Sequence, residues 1–107
     1  MFKQLMHVES AEHKTMPNNA QFWQVQLQDI REKKGVKELA FEVLTEFWGS
    51  TQPCQTGDLI IVQGDLKYTH WQDQEGNDRR TLKLTRPKIL DENDNDITPK
   101  KTKEIEI

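Results

Sequence analysis

The sequence predicts a single all-β domain with five strands, a size that suits its 107 residues. Apolar and polar side chains alternate over residues 22–28 and again over residues 39–48, which is the period of a strand buried on one side. Two further alternating segments flank Gly76 and Asn77, and this pattern predicts a long hairpin. With Pro53 inside, the connector 49–58 has room for at most one helical turn.

The remaining predicted elements follow from local composition. Residues 2–8 form a first strand, and the polar residues 9–19 form a connector. The alternating segments 22–28 and 39–48 are the second and third strands. A fourth strand begins at residue 59, a fifth ends at residue 90, and Gly64 is a candidate bulge. Arg31, Lys33 and Lys34 lie in a predicted loop tip, where their charges either reach a ligand or keep the tip solvated.

The hairpin between strands 4 and 5 has two faces that the sequence distinguishes, because successive side chains of a strand point to opposite sides. A turn centred on Glu75 pairs the residues of one face as Trp71–Arg79, Thr69–Thr81 and Lys67–Lys83. The other face pairs His70–Arg80, Tyr68–Leu82 and Leu66–Leu84. We expect the second face to pack a core and the first to be solvated.

The solvated face carries one indole among three cations and two hydroxyls. An exposed indole can stack on nucleobases while Lys and Arg meet phosphates, which is the general chemistry of single-stranded nucleic-acid binding. The alternative is that Trp71 only covers the edge of the barrel, since single exposed apolar residues are ordinary.

The charge distribution favours this hairpin as a binding surface. The net charge of −3 alone argues against nucleic acid. Residues 67–90, however, contain six cations and three anions, whereas residues 1–66 and 91–107 each have a net charge of −3. Local charge determines the field that a phosphate experiences within about 8 to 10 Å.

One segment resembles a known family. Gly57-Asp-Leu-Ile-Ile-Val-Gln-Gly-Asp-Leu-Lys, followed by Trp71-Gln-Asp-Gln-Glu-Gly-Asn-Asp-Arg, is similar to the corresponding block of bacterial single-stranded DNA-binding (SSB) proteins. Within that family, the chain resembles the small, tail-poor SSB-like proteins of cyanobacteria and plastids. The resemblance implies a five-stranded OB-fold barrel, and Trp48 and Trp71 match aromatic binding positions of the family. Glu42 and Lys33 fall near two other such positions and do not match.

These observations predict sequence-independent binding of single-stranded DNA in replication, repair or recombination. We expect residues 1–90 to form the OB-fold domain and residues 91–107 a flexible charged tail. The residues expected to contact DNA are Trp48, Trp71, Lys67, Arg79, Lys83, Arg31, Lys33 and Lys34. The alternative is an OB-fold interaction module resembling the primosomal replication protein N (PriB), favoured by the short connector, the unmatched aromatics and the lack of the acidic Pro-Phe tip of SSB tails.

Other classes of function find little support in the sequence. The histidines are widely spaced, and no nucleophile motif or phosphate-cradling glycine loop occurs, so we expect neither an enzyme nor a metal or cofactor. No apolar run is long enough to span a membrane, the amino terminus is too polar for a signal peptide, and Cys54 is the only cysteine. We therefore expect the bacterial cytoplasm, near the nucleoid, or the plastid stroma. The modest core predicts a homo-oligomer, a dimer or tetramer, and replication or repair proteins are possible partners.

Overall fold

The computed structural model of the protein describes residues 1–99. The strands of this part are β1 (Phe2–Thr15), β2 (Gln21–Lys33), β3 (Val36–Trp48), β4 (Leu59–Gln72) and β5 (Asp78–Leu90). They close into a barrel in the order β1-β2-β3-β5-β4, and β1 pairs with β4 to complete the ring. Residues 1–99 contain no helix. The predicted all-β fold with five strands is confirmed, and the barrel is consistent with an OB fold.

Strand β1 is longer than the sequence predicts. After an irregularity between Val8 and Ser10, it continues to pair with β2 from Ser10 as far as Thr15, through the segment predicted as a connector. Ala11 still packs against the core, but residues 12–15 are exposed and are held in the strand by backbone pairing, so their side chains show no hydrophobic alternation.

The hairpin between β2 and β3 is also longer than predicted. Its turn consists of Lys34 and Gly35, whose φ angles of 52° and 79° are the positive values that a two-residue hairpin turn requires. Arg31 and Lys33 therefore lie in β2, and of the three predicted tip cations only Lys34 occupies the turn.

The barrel interior follows the predicted alternation of β2 and β3. Val25 and Leu27 of β2 face Thr45 and Val43 of β3, and all four are fully buried. The core is completed by Met6, Val8, Phe47, Cys54, Val62, Leu84 and Ile89.

A single short parallel seam joins β3 to β5. Only Leu44 with Lys83 and Thr45 with Leu84 are paired there. The buried hydroxyl of Thr45 donates a hydrogen bond of 2.7 Å to the carbonyl oxygen of Leu84. This contact adds a side-chain bond to a seam with few backbone pairs.

The register predicted for the hairpin of β4 and β5 is confirmed, pair by pair, from Leu66–Leu84 to Trp71–Arg79. The prediction that its second face packs a core holds for Leu84 and Leu82 but is wrong for Leu66 and Tyr68, which are 41% and 52% exposed. Pairing of β1 with β4 ends at Gly64, so the hairpin extends past the barrel wall.

The predicted bulge at Gly64 is confirmed by a register shift between Gln63 and Asp65. A Cβ atom on Gly64 would lie 2.7 Å from the carbonyl oxygen of Thr85, closer than real Cβ contacts. Glycine thus lets the two strands approach where β4 leaves the barrel.

Residues 91–99 return along β5. The Asp91 side chain accepts hydrogen bonds from the backbone N–H groups of Asn93 and Asn95, and the N–H of Ile97 donates to the carbonyl of Ile89. The sequence predicts a flexible tail from residue 91, whereas the structure describes residues 91–99 as a turn held against the barrel. The remainder of that predicted tail, 100–107, lies outside the described residues.

Residues 1–99 include no helix that is long and apolar enough to cross a membrane.

Candidate nucleic-acid interface

The outward face of β3, β5 and β4 brings together most of the predicted site residues. Lys67 faces Lys83 and Trp71 faces Arg79 across the hairpin. Lys83 in turn pairs with Leu44 of β3. Leu44 and Trp48 lie on the same side of β3, so Trp48 shares this surface with Lys83. We call this surface, formed by Trp48, Lys67, Trp71, Arg79 and Lys83, the outer face.

Trp71 is a surface residue with a fixed orientation. Its side chain is 50% exposed, and the indole Nε1 donates a hydrogen bond of 3.1 Å to the hydroxyl oxygen of Thr81. The Thr69 hydroxyl contacts the carbonyl of Thr81 at 3.4 Å. Threonines therefore separate Trp71 from the lysine pair and hold the indole without burying it. The ring remains available for stacking.

Trp48 is the last residue of β3, and its ring contacts that of Phe22, a residue that the sequence analysis did not include in the site. Its ring centroid lies 4.8 Å from that of Phe22, its partner on β2, with a tilt of 36°. Trp48 is 45% exposed. Phe22 shares the outward side of β2 with glutamines, and a lone aromatic on this polar side is the signal that could have identified it.

A second neighbour of this aromatic pair comes from β1. Lys14 pairs with Phe22 in the register of β1 and β2, and this places a cation beside the aromatic pair. Its ammonium lies 3.5 Å from a carboxylate oxygen of Glu12. The sequence predicts a connector over residues 9–19, so the position of Lys14 beside Phe22 becomes apparent only from the extension of β1 to Thr15.

An open groove lies beside Trp48 and Lys83. Its lining residues are Glu46, Trp48, Lys83, Leu84, Thr85, Arg86 and Pro87. Arg86 was not among the predicted site residues, although it lies in the basic segment 67–90. The groove thus combines apolar side chains with a tryptophan, two cations and one carboxylate.

Carboxylates hold several of these cations. Lys83 Nζ lies 3.3 Å from Glu46 Oε2, and Arg79 Nε lies 3.0 Å from Asp73 Oδ2. Arg86 pairs with Asp65. Within residues 1–99 Lys67 takes part in no ion pair. A phosphate that approaches the outer face therefore meets Lys67 directly and competes with protein carboxylates for the other cations.

The hairpin tip is organised around Asp73. The backbone N–H groups of Asn77 and Glu75 donate to Asp73 Oδ1, and Arg79 donates to Oδ2. These bonds, that of the Asn77 backbone first, hold the pKa of Asp73 below its usual value. Arg79 is thereby fixed beside Trp71 instead of extending freely into solvent.

The remaining predicted cations belong to the other hairpin. Arg31 donates from Nε and Nη2 to Asp29 Oδ2, and it lines a hollow with His7 of β1. Because β3 and β5 run parallel and both hairpin turns precede the seam, the two tips extend from the same end of the barrel. Lys33 and Lys34 thus flank the same end as Trp71, but the structure gives them no contact with the outer face.

The two positions where the resemblance expects aromatics carry charged groups. Glu42 lies on the outward side of β3 and accepts a hydrogen bond of 2.6 Å from Gln28, and Lys33 is the last residue of β2. The outer face therefore has aromatic groups at its two ends and two carboxylates of β3, Glu42 and Glu46, between them. No group of three or more His, Cys, Asp or Glu side chains within residues 1–99 is arranged to hold a metal ion.

The chain was also compared with known proteins. No protein-family model matches it, and no curated protein matches it in sequence.

Proposed function

We propose that the protein binds single-stranded DNA through the outer face, without sequence preference, in replication, repair or recombination. The observation that carries the proposal is Trp71, half-exposed, oriented by Thr81 and flanked by Arg79 on the facing strand. Such an indole can stack on any base, while Lys67, Lys83 and Arg79 neutralise phosphates. The SSB resemblance of residues 41–90 supports the same function.

The test is a fluorescence titration of the full chain with oligo-dT. Stacking of a base on Trp71 or Trp48 should quench tryptophan emission and give a saturable curve. Duplex DNA of the same length should compete poorly, because paired bases cannot stack on an indole. Oligo-U in the same assay measures whether the site distinguishes DNA from RNA. Absence of any saturable change with oligo-dT would overturn the proposal.

A second candidate is a PriB-like interaction module that acts chiefly through protein contacts. The pairing of Lys83, Arg79 and Arg86 with carboxylates favours it, because these cations need no phosphate for neutralisation. The Glu42 carboxylate, which lies between the two tryptophans of the outer face, would also repel the phosphates of a strand that contacts both. Weak, salt-insensitive binding of oligo-dT would favour this candidate over the first.

Self-association is part of the proposal, and a surface away from the outer face supports it. Leu5 and Leu59 are 51% and 54% exposed on the neighbouring strands β1 and β4. In the register of these strands, Leu5 faces Ile61 and Leu59 faces His7. Grouped exposed aliphatic side chains are typical of an interface. A second copy seated there would cover β1 and the start of β4, whereas the outer face uses β3, β5 and the later part of β4, from Lys67 to Trp71.

Light scattering tests this association. The parent should have a mass well above 12.6 kDa, and the double substitution Leu5→Asp and Leu59→Asp should return it to the monomer mass. Leu39→Asp is the matched control, because Leu39 is a similarly exposed leucine on β3. A parent that remains monomeric at micromolar concentration would remove the claim.

A further inference from the structure

The hairpin of β4 and β5 has a second exposed face, turned toward the barrel side, that the outer face does not use. It carries Leu66 and Tyr68 from β4, and Leu82 and Arg80 from β5. Tyr68 is 52% exposed and Leu66 is 41% exposed, whereas Leu82 is half-buried against the core. We call this surface the inner face.

Tyr68 and Arg80 form the central contact of the inner face. The guanidinium carbon of Arg80 lies 4.7 Å from the centroid of the Tyr68 ring, which is a cation–π arrangement. His70 faces Arg80 across the hairpin. The inner face therefore places an exposed aromatic ring beside a cation and an imidazole, and the outer face likewise has an aromatic ring beside a cation at Trp71 and Arg79.

Neither edge of the hairpin is paired with another strand at this level. Pairing of β1 with β4 ends at Gly64, and pairing of β3 with β5 is confined to Lys83 and Leu84. Residues 66–72 and 78–82 thus form a two-stranded ribbon that pairs with no other described strand. A flexible chain can pass from one face of such a ribbon to the other around an edge.

We propose that the inner face is a second binding surface for single-stranded nucleic acid, with Tyr68 as a stacking platform and Arg80 as its phosphate or base contact. This inference rests on the proposed function and extends it: one strand contacts Trp71 on the outer face and Tyr68 on the inner face of the same ribbon. Charge favours this ligand over a second protein copy, because Arg80 takes part in no ion pair within residues 1–99. A symmetric contact between two copies would bring two such cations together, whereas a phosphate neutralises one. Arginine and aromatic planes are also the groups on which unpaired bases stack.

The experiment compares Tyr68→Ala, Tyr68→Phe and Trp71→Ala in titrations with an oligo-dT of about 16 nucleotides, the upper length that one OB fold covers. Tyr68→Ala should weaken binding about 5- to 150-fold, the change expected for loss of one stacked base. Tyr68→Phe keeps the ring and should bind as the parent does. Light scattering is measured on each variant, with Leu66→Ala as a control for apolar contacts on the same face.

The outcomes separate this inference from the function on which it rests. If Trp71→Ala weakens binding and Tyr68→Ala does not, the inner face is not a binding surface and the proposed function stands. If Tyr68→Ala and Leu66→Ala lower the oligomer mass, the inner face contacts a second copy and the inference is overturned. If the parent does not bind oligo-dT, both proposals fail together.

Discussion

The ammonium of Lys83 lies 3.3 Å from Glu46 Oε2, and this pair links β5 to β3 beside the groove at Trp48. Both side chains are about one-quarter exposed. A cation of the outer face is thus held by a carboxylate on the neighbouring strand. DNA that uses Lys83 must either displace Glu46 or accept an anion close to its phosphates.

The substitution Glu46→Gln should therefore strengthen oligo-dT binding. Removing the carboxylate frees Lys83 and removes a repulsive charge, so we expect about a 2- to 5-fold gain, on the order of 0.4 to 1 kcal/mol. Glu42→Gln is the matched control, since it removes the same charge from the same side of β3, farther from Lys83. The proposal for Lys83 fails if Glu46→Gln leaves the affinity unchanged or lowers it.

Trp71→Ala should separate binding from stability. The indole is half exposed and its one hydrogen bond joins another surface side chain, so thermal unfolding should change little. Oligo-dT binding should lose roughly 1 to 3 kcal/mol. A core tryptophan would instead cost about 3 to 5 kcal/mol of folding stability on truncation. Calorimetry and the fluorescence titration measure the two quantities on one sample, and a stable variant that binds normally contradicts the stacking role.

Salt dependence should report the phosphates that the outer face neutralises. The logarithm of oligo-dT affinity should fall linearly with the logarithm of salt, with a slope of about −0.7 for each phosphate. Lys67→Ala should reduce the magnitude of the slope by about 0.7, because Lys67 takes part in no ion pair within residues 1–99. Lys3→Ala, on β1 and paired with Asp94, should leave it unchanged. Equal slopes for all three proteins would exclude a phosphate contact at Lys67.

Thr45→Val should destabilise the barrel. The substitution keeps the shape but removes the buried hydroxyl that bonds the Leu84 carbonyl across the seam of β3 and β5. We expect a loss of about 1 to 3 kcal/mol in urea unfolding. Thr85→Val is the control, because that hydroxyl is half-buried and its carbonyl partner can bond water instead; its cost should stay within about 0.5 kcal/mol. Similar costs for both variants would show that the seam does not depend on Thr45.

Cys54 should react slowly in the folded protein. Burial, and then the nearby Asp58 carboxylate, raise the pKa of its thiol to about 11 from 9.0. At pH 8 the thiolate population is then about a hundredfold smaller than for an ordinary thiol. Ellman's reagent should modify Cys54 slowly in buffer and quickly in urea. The same shift means that folding stability declines as pH rises from about 9 toward 11, since the unfolded chain loses its proton first. Fast modification of the native chain at pH 8 would contradict the burial.

The sequence determined the hairpin register because two local signals agree there: turn residues at 76 and 77, and alternation on both sides of them. The sequence did not reveal that the hairpin extends beyond the barrel wall. Backbone hydrogen bonds between β4 and β5 continue past the last residues that pack on the core, and side-chain patterns do not report where that packing stops. Tyr68 was therefore expected in a core and is exposed. Phe22 was missed for a related reason: its contact with Trp48 depends on the pairing of β2 with β3, which alternation within one strand does not specify.

The seam between β3 and β5 determines the order in which the surface assembles. Each hairpin joins strands that are adjacent in sequence, whereas the seam brings together Thr45 and Leu84, 39 residues apart. Closing such a long loop costs more entropy than forming a hairpin, so we expect the seam to form late in folding. Trp48 lies on one side of this seam and Trp71 on the other. Under the proposed function, a DNA strand that contacts both would cross this late-forming boundary of the barrel and hold it closed, adding about 2.7 kcal/mol of stability at a concentration of 100 times the Kd.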